Sequence, residues 1–166
     1  MIEALLRILA RLFARPAGAV VAEGPAPPWP ALTTYDRDTL IRTLFGEAGI
    51  ESEAGQIAVV HVIRNRLLRG PARRFGGTPA EVCTKPWQFS CWNANDPMRA
   101  RILALVPGSA VYDRLGAVVD RAWQMPDSVG GADHYFASYI ARPAWAVPPA
   151  RETVRHGVHK FYAGVA

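Results

Sequence analysis

The residue with the clearest capacity for chemistry is Glu47, which lies in the segment Phe45-Gly46-Glu47-Ala48-Gly49. Its immediate neighbours have small side chains or none, which leaves the carboxyl open to a bulky substrate. We place it near the C-terminus of a helix, where the helix dipole and partial burial disfavour the charged carboxylate. A carboxyl that keeps its proton near neutral pH can protonate a glycosidic oxygen. The alternative is a solvated surface glutamate.

The histidines offer a different chemistry. Together with Glu47 they could form a zinc site of the amidase kind, with ligands His134, His156 and His159. However, the sequence has no His-Glu-x-x-His motif, and His156 and His159 flank a glycine at no preferred ligand spacing. We therefore expect structural histidines and no metal or other cofactor.

The elements that must position these side chains are mostly helical. Capping residues and prolines at first helical positions mark five helix starts, and terminating glycines mark two helix ends. The predicted helices run from Asp36 to Gly49, from Ser52 to Gly70, from Thr78, from Asp96, and from Ser109 to about Gln124.

Three stretches are predicted to be extended. They are Trp87 to Trp92, Ala132 to Tyr139, and a hairpin from Thr153 to Tyr162 with Gly157 in its middle. The chain is therefore predicted to have an α+β fold that is mainly helical, with a small β element.

The first thirty residues differ from the rest. Arg7, Arg11 and Arg15 share one face of a predicted amphipathic helix over residues 1–15, and a linker rich in Pro, Ala and Gly follows to residue 30. The helix could contact a membrane surface or pack on its own domain. Its arginines interrupt the apolar core that a secretory signal needs. We place the domain at residues 31–166.

Composition restricts the protein class. The 166 residues are 50% hydrophobic and 20% charged, which is too apolar for a disordered chain. The sequence contains no uninterrupted run of about 18 apolar residues, the length that a membrane-spanning helix needs. The formal net charge of +5 suits an anionic partner, such as nucleic acid, a membrane surface or a wall that bears carboxylates. No nucleic-acid-binding signature is present, so we expect no nucleic acid partner.

A series of short motifs follows in order along residues 38–162. They are Phe45-Gly46-Glu47-Ala48, Glu51, Gly55-Gln56, Ala58-Val59, Asn65-Arg66, Gln88-Phe89-Ser90, Gly131 to Phe136, Pro143, Trp145, His156 and His159 to Tyr162. Each motif is weak alone, but the ordered set resembles the SleB/CwlJ cell-wall hydrolase family.

The resemblance implies a lysozyme-like domain, mainly helical, with a small β element lining the cleft. It implies that Glu47 is the general acid/base for cleavage of peptidoglycan between N-acetylmuramic acid and N-acetylglucosamine. In members that are lytic transglycosylases, the C6 hydroxyl of the substrate closes on C1 and leaves a 1,6-anhydro end. No second enzymic carboxylate is then essential, unlike in most glycosidases.

Other residues acquire expected roles from the same motifs. Glu51 could orient Glu47 or cap the second helix, and the pair Asn65-Arg66 could tie the second helix to the first. The predicted sugar contacts are Gln88, Ser90, His134 and Tyr135. A sugar platform or half-buried core packing could account for the aromatic residues Trp87, Phe89 and Trp92. Asp133 departs from the small polar residue that is frequent in the family.

Cys83 and Cys91 are the only cysteines. An even pair in an enzyme that acts on the cell wall favours a disulfide and an oxidising compartment. Two buried thiols are the alternative.

An interval without acidic residues, 54–80, contains five arginines: Arg64, Arg66, Arg69, Arg73 and Arg74. Such a run is usually a solvated helix face, but it could also offer a patch for the carboxylates of peptidoglycan stem peptides.

The sequence therefore predicts a monomeric peptidoglycan hydrolase or lytic transglycosylase of the cell envelope. Its export route is open, and it could stay in the cytoplasm until lysis if it is phage-derived. The alternatives are a zinc-dependent amidase that cuts the muramoyl–alanine bond and a peptidoglycan-binding module without catalysis.

Overall fold

The computed structural model describes residues 29–70 and 75–165. Within them the chain forms five α-helices and a three-stranded antiparallel sheet, which confirms the predicted α+β fold. The helices are α1 (Thr34–Ala48), α2 (Glu53–Arg69), α3 (Pro79–Thr84), α4 (Met98–Leu103) and α5 (Ala110–Gln124). The strands are β1 (His134–Ala137), β2 (Arg151–His156) and β3 (His159–Ala163).

The N-terminal part is described only from Trp29 onward. The amphipathic helix predicted over residues 1–15 lies outside the described residues, as does the linker up to residue 28. Trp29 and Pro30 contact the domain: the Trp123 indole donates to the Pro30 carbonyl over 3.0 Å, and Trp29 packs beside Trp123. None of the described helices is long and apolar enough to span a membrane.

Side-chain caps begin the longer helices. Ser52 and Ser109 accept backbone hydrogen bonds at the starts of α2 and α5, as predicted. The predicted cap Asp36 is wrong, because Thr33 is the N-cap of α1 and its hydroxyl oxygen accepts from the Asp36 amide over 3.0 Å. Asp36 instead accepts from the Ala80 amide over 3.0 Å and so fixes α3 to α1.

The prediction of an extended stretch from Trp87 to Trp92 is wrong. The chain makes a turn there, and a short 3-10 helix follows over Ser90–Trp92. The reason is tertiary: Phe89 and Cys91 are both buried against the helices, and the Trp92 indole donates to Thr43 on α1 over 2.9 Å. A straight strand would place Phe89 and Cys91 on one face but could not also bring Trp92 back to α1.

Helices α1, α2 and α5 form the main hydrophobic core. Their inward side chains are fully buried; examples are Leu40, Leu44, Ile63 and Leu115. This core fixes the direction of α1, and therefore the place where its C-terminal end reaches the surface.

The sheet has the strand order β1-β3-β2, and Gly157, with a φ of 53°, forms the turn of the β2–β3 hairpin. One face of the sheet packs through Phe161 against Ala58 and Val62 of α2. The other face is covered by the segment around Trp145, which packs edge-on against Tyr162 and Phe136. Because neighbouring residues of a strand point to opposite faces, the side chains of β1 alternate between the face toward α2 and the face toward the segment around Trp145.

Candidate functional site

An open groove of about 390 Å³ runs past the C-terminal end of α1. Its walls come from residues 45–51, from α4, from the start of α5, and from the sheet with the loop after β1. Glu47 is half-buried in this groove, at the penultimate position of α1. The predicted position of Glu47 at a helix end and beside a cleft is therefore present in the structure.

Two donors hold the Glu47 carboxylate. The Tyr135 hydroxyl donates to Oε2 over 3.0 Å, and the Cys91 amide donates to Oε1 over a longer 3.4 Å. Burial and the charge of Glu47 raise the pKa of Tyr135 well above its ordinary value, so the phenol keeps its proton and stays a donor. The side chain of Glu47 is thereby fixed in orientation while it remains in the groove.

Gly46 explains how the 3-10 turn comes so close to Glu47. A Cβ at this position would lie 2.6 Å from the Cβ of Cys91 and 2.9 Å from its sulfur. Only a residue without a side chain lets α1 and the turn approach this closely. The glycine of the Phe-Gly-Glu motif therefore serves the contact between Cys91 and Glu47.

The predicted disulfide is wrong, because Cys83 and Cys91 are both free and buried. They lie at different points along α1: Cys83 is beside Thr43, whereas Cys91 packs on Gly46. Burial raises the pKa of Cys83 to about 12, and burial together with Glu47 raises the pKa of Cys91 further. Both groups are therefore unreactive thiols, and the oxidising compartment inferred from a disulfide loses its support.

Glu51 occupies a small space between α2 and the hairpin. Its carboxylate packs against Gly55 and Gly157, and a Cβ at Gly157 would collide with it. His159 lies beside it, with 3.8 Å between Nδ1 and the nearer carboxylate oxygen, and the ring of His159 stands edge-on to Tyr135 at 5.2 Å. A series of contacts through His159 and Tyr135 thus links Glu51 to Glu47. The cap of α2 is Ser52 and not Glu51.

Of the four predicted sugar contacts, three lie near Glu47 or the turn that contacts it, and His134 lies on the other side of the sheet. Ser90 is exposed directly before Cys91, and Tyr135 contacts Glu47. Gln88 is half-buried, and its carbonyl accepts from Arg66 over 3.2 Å. His134, by contrast, lies on the opposite face of β1 from Tyr135, where its ring packs 5.0 Å from Trp145.

The placement of His134 also separates it from the other residues of the alternative zinc site, which were Glu47, His156 and His159. The Nδ1 atom of His134 bonds to Asp133 over 2.8 Å, and the buried Asp133 pairs with Arg69 over 2.6 Å. In residues 29–70 and 75–165, no three His, Cys, Asp or Glu side chains are grouped so as to hold a metal. Asp133, which departs from the family pattern, is thus engaged in an ion pair away from Glu47.

The three aromatic residues of the predicted platform have separate roles. Trp87 is 81% exposed, whereas Phe89 is buried and Trp92 bonds to α1. Of the three, Trp87 is therefore the most exposed to a ligand.

Asn65 and Arg66 join α2 to the segments around the site rather than to α1. The Asn65 amide donates to the Ala132 carbonyl over 2.9 Å, and Arg66 Nε donates to the Asp133 carbonyl over 2.7 Å. Arg66 also lies 4.7 Å from the Phe89 ring, a cation–π contact. The pair thus fixes the start of β1 and, with it, the position of Tyr135.

The arginine-rich interval does not form the expected surface patch in its described part. Arg64 and Arg66 are buried, and Arg69 pairs with Asp133. Arg73 and Arg74 lie outside the described residues. The cations that line the groove are Arg101 of α4 and Arg114 of α5, which sequence reasoning missed. The sequences of α4 and α5 contain nothing that indicates that these two arginines face the end of α1.

The chain resembles known proteins in sequence and in fold. A family model described as Cell Wall Hydrolase matches residues 50–162. The structure of the catalytic domain of the Bacillus cereus SleB protein matches with a TM-score of 0.63 and 24% identity, over 82% of this chain and 94% of that one. The catalytic domain of the germination-specific lytic transglycosylase SleB from Bacillus anthracis matches with a TM-score of 0.62 and 24% identity, over 79% and 96% of the two chains.

The two structural likenesses establish the fold. No curated protein sequence matches the chain. The family match begins after Glu47, so the assignment of a role to Glu47 depends on its place in the groove and on the sequence motif around it.

Proposed function

The chain belongs to the cell wall hydrolase family, and on that premise we propose that it cleaves peptidoglycan glycan strands between N-acetylmuramic acid and N-acetylglucosamine. Glu47 is the single general acid/base of this proposal. The observation that carries it is the Glu47 carboxyl at the groove, held by the Tyr135 hydroxyl over 3.0 Å. A strand that enters the groove would meet an acid whose orientation is already fixed.

The proposed reaction needs one proton and one nucleophile. Protonated Glu47 donates its proton to the bridging oxygen as the bond from that oxygen to C1 of N-acetylmuramic acid breaks. The C6 hydroxyl of the same sugar then bonds to C1, and the Glu47 carboxylate takes the hydroxyl proton. The products are a strand with a free 4-hydroxyl and a 1,6-anhydromuramic end, and Glu47 is protonated again.

We favour this route over attack by water because of Glu51. Glu51 is the other carboxylate that lines the groove, but its side chain is only 16% exposed and is enclosed by Gly55, Gly157 and His159. A base that activates water needs room for that water between itself and the sugar. The neighbour from Bacillus anthracis is named a lytic transglycosylase, which supports the same choice. Glu51 then serves as a positioning residue.

The test is digestion of purified peptidoglycan followed by mass spectrometry of the soluble fragments. Anhydromuramic ends are the expected result, whereas reducing ends would show attack by water. Released stem peptides would indicate an amidase, and an unchanged wall would indicate a binding module. Glu47→Gln should abolish release, and the matched control Glu53→Gln, an exposed residue of α2, should not.

The family indicates action in the cell envelope or outside the cell. We propose that the protein acts there as a monomer, whether it is exported or held in the cytoplasm until lysis. Contact of residues 1–15 with a membrane surface stays a prediction.

A further inference from the structure

We infer that Arg101 and Arg114 form a subsite for the carboxylates of the stem peptide that N-acetylmuramic acid carries. Both side chains line the groove that contains Glu47. The inference relies on the proposed function for the identity of the glycan. It adds that the stem peptide directs the enzyme to the glycosidic bond that it cleaves.

The two guanidinium groups are positioned but have no acidic partner among the described residues. The guanidinium carbon of Arg101 lies 5.7 Å from the centre of the Phe45 ring, and Phe45 precedes Glu47 by two residues. Arg114 donates to the Gly49 carbonyl over 3.4 Å, directly after α1. Within the part of the chain that the structure describes, neither forms an ion pair, although Arg37, Arg42, Arg69, Arg121 and Arg155 do.

The groove that receives the glycan strand also carries apolar side chains that suit a peptide. Beside the aromatic lining residues Phe45, Tyr139 and His159, these are the aliphatic or thioether side chains Ile50, Met98, Val111 and Val158. Three of them, Ile50, Val111 and Val158, are exposed, and exposed apolar groups beside unpaired cations mark a surface for a ligand with both alkyl and anionic parts. Phe45 and Tyr139 are the aromatic residues of the lining apart from His159, and the exposed Tyr139 is available to a sugar.

Short acidic peptides have this chemistry. The stem peptide presents methyl and methylene groups together with free carboxylates, and a guanidinium binds a carboxylate through two parallel N–H donors. The Glu51 carboxylate on the same groove would repel such a chain, so the arginines are needed to offset it.

The experiment measures binding and cleavage of soluble glycan strands by Arg101→Gln, Arg114→Gln and the double variant. Binding is measured in a Glu47→Gln background, so it does not require the proposed chemistry. The strands carry intact stem peptides, stem peptides with amidated carboxyls, or no peptides after amidase treatment. Arg151→Gln, which removes an exposed arginine that does not line the groove, is the matched control.

We expect the double variant to bind peptide-bearing strands roughly three- to tenfold more weakly, an effect that high salt reduces. Binding to amidated strands should be unchanged, and Arg→Lys at both positions should restore part of the loss. An equal loss on amidated or peptide-free strands, or no loss at all, would overturn the inference. If the wild-type protein cleaved none of the three kinds of strand, that result would instead count against the proposed function alone.

Discussion

The hydroxyl of Tyr135 lies 3.0 Å from Oε2 of Glu47, although 88 positions separate the two residues in the chain. Tyr135 comes from β1 and Glu47 from the end of α1, so this bond joins the sheet to the helical part at the groove. The phenol stays protonated because its burial, and then the charge of Glu47 beside it, raise the pKa of Tyr135. The orientation of the acid therefore depends on the correct docking of β1.

The first prediction concerns this bond. Tyr135→Phe removes the hydroxyl but keeps the ring that packs against Phe161. A hydrogen bond to a charged group contributes about 1.5–3 kcal/mol, so we expect kcat to fall about ten- to a hundredfold. The measurement is the initial rate of fragment release from purified peptidoglycan.

The matched control is Tyr162→Phe, which removes an equivalent bond to Glu152 on the opposite face of the sheet. Its activity should stay within about twofold of wild type if the effect of Tyr135 is local. Equal losses in the two variants would show that sheet stability, and not the Glu47 contact, controls the rate.

Local signals predicted most of the fold. The sequence identifies Ser52, Thr78 and Ser109 as helix starts because a cap acts within the first turn of its own helix, and each of the three side chains accepts a backbone hydrogen bond there. The turn from Trp87 to Trp92 was not predicted, because contacts with α1, distant in sequence, override its local preference for an extended conformation.

The site was predictable only in part. Glu47 and Tyr135 belong to recognisable motifs, so both were predicted to be functional. His134 was placed with them, since the sequence motif could not show which face of β1 it occupies. Arg101 and Arg114 were missed because their place in the groove depends on how α4 and α5 pack, which no local pattern encodes.

The second prediction separates the two groove carboxylates. Glu51→Gln keeps the shape of the enclosed side chain, so we expect a folded protein with activity reduced only a few-fold. Glu47→Gln should instead remove activity, and Glu53→Gln should change nothing. The rates of all three variants on one batch of peptidoglycan provide the check. Loss of activity with Glu51→Gln as complete as that with Glu47→Gln would identify Glu51 as a second catalytic group.

The third prediction concerns the cysteines. Since Cys83 and Cys91 are free and buried, reductant should not change the thermal midpoint of unfolding. An alkylating reagent should label neither thiol in the native protein and both in denaturant without reductant, as counted by intact mass. A midpoint that drops with reductant, or a denatured protein that resists labelling, would mean that a disulfide forms after all.

His61 is the buried group whose charge state is most clearly linked to folding. It is fully buried on α2; its Nδ1 accepts from the Ser128 amide over 3.0 Å, and its Nε2 lies 3.0 Å from the Ala122 carbonyl. This pattern requires a neutral ring that carries its proton on Nε2. Burial, with a smaller contribution from the nearby Arg64, lowers the pKa of His61 from 6.5 to about 4.

The fourth prediction is the resulting loss of stability in acid. The unfolded chain binds a proton at His61 near pH 6.5, whereas the folded chain resists protonation until about pH 4. The contribution of His61 to the free energy of unfolding is therefore complete above about pH 6.5 and is lost as the pH falls toward 4. Denaturant unfolding at pH 7.5, 5.5 and 4.5 should show this fall. His61→Gln should be less stable at pH 7.5 but should have a shallower decline, because its side chain does not titrate. Parallel declines in the two proteins would assign the acid sensitivity to the carboxylates instead.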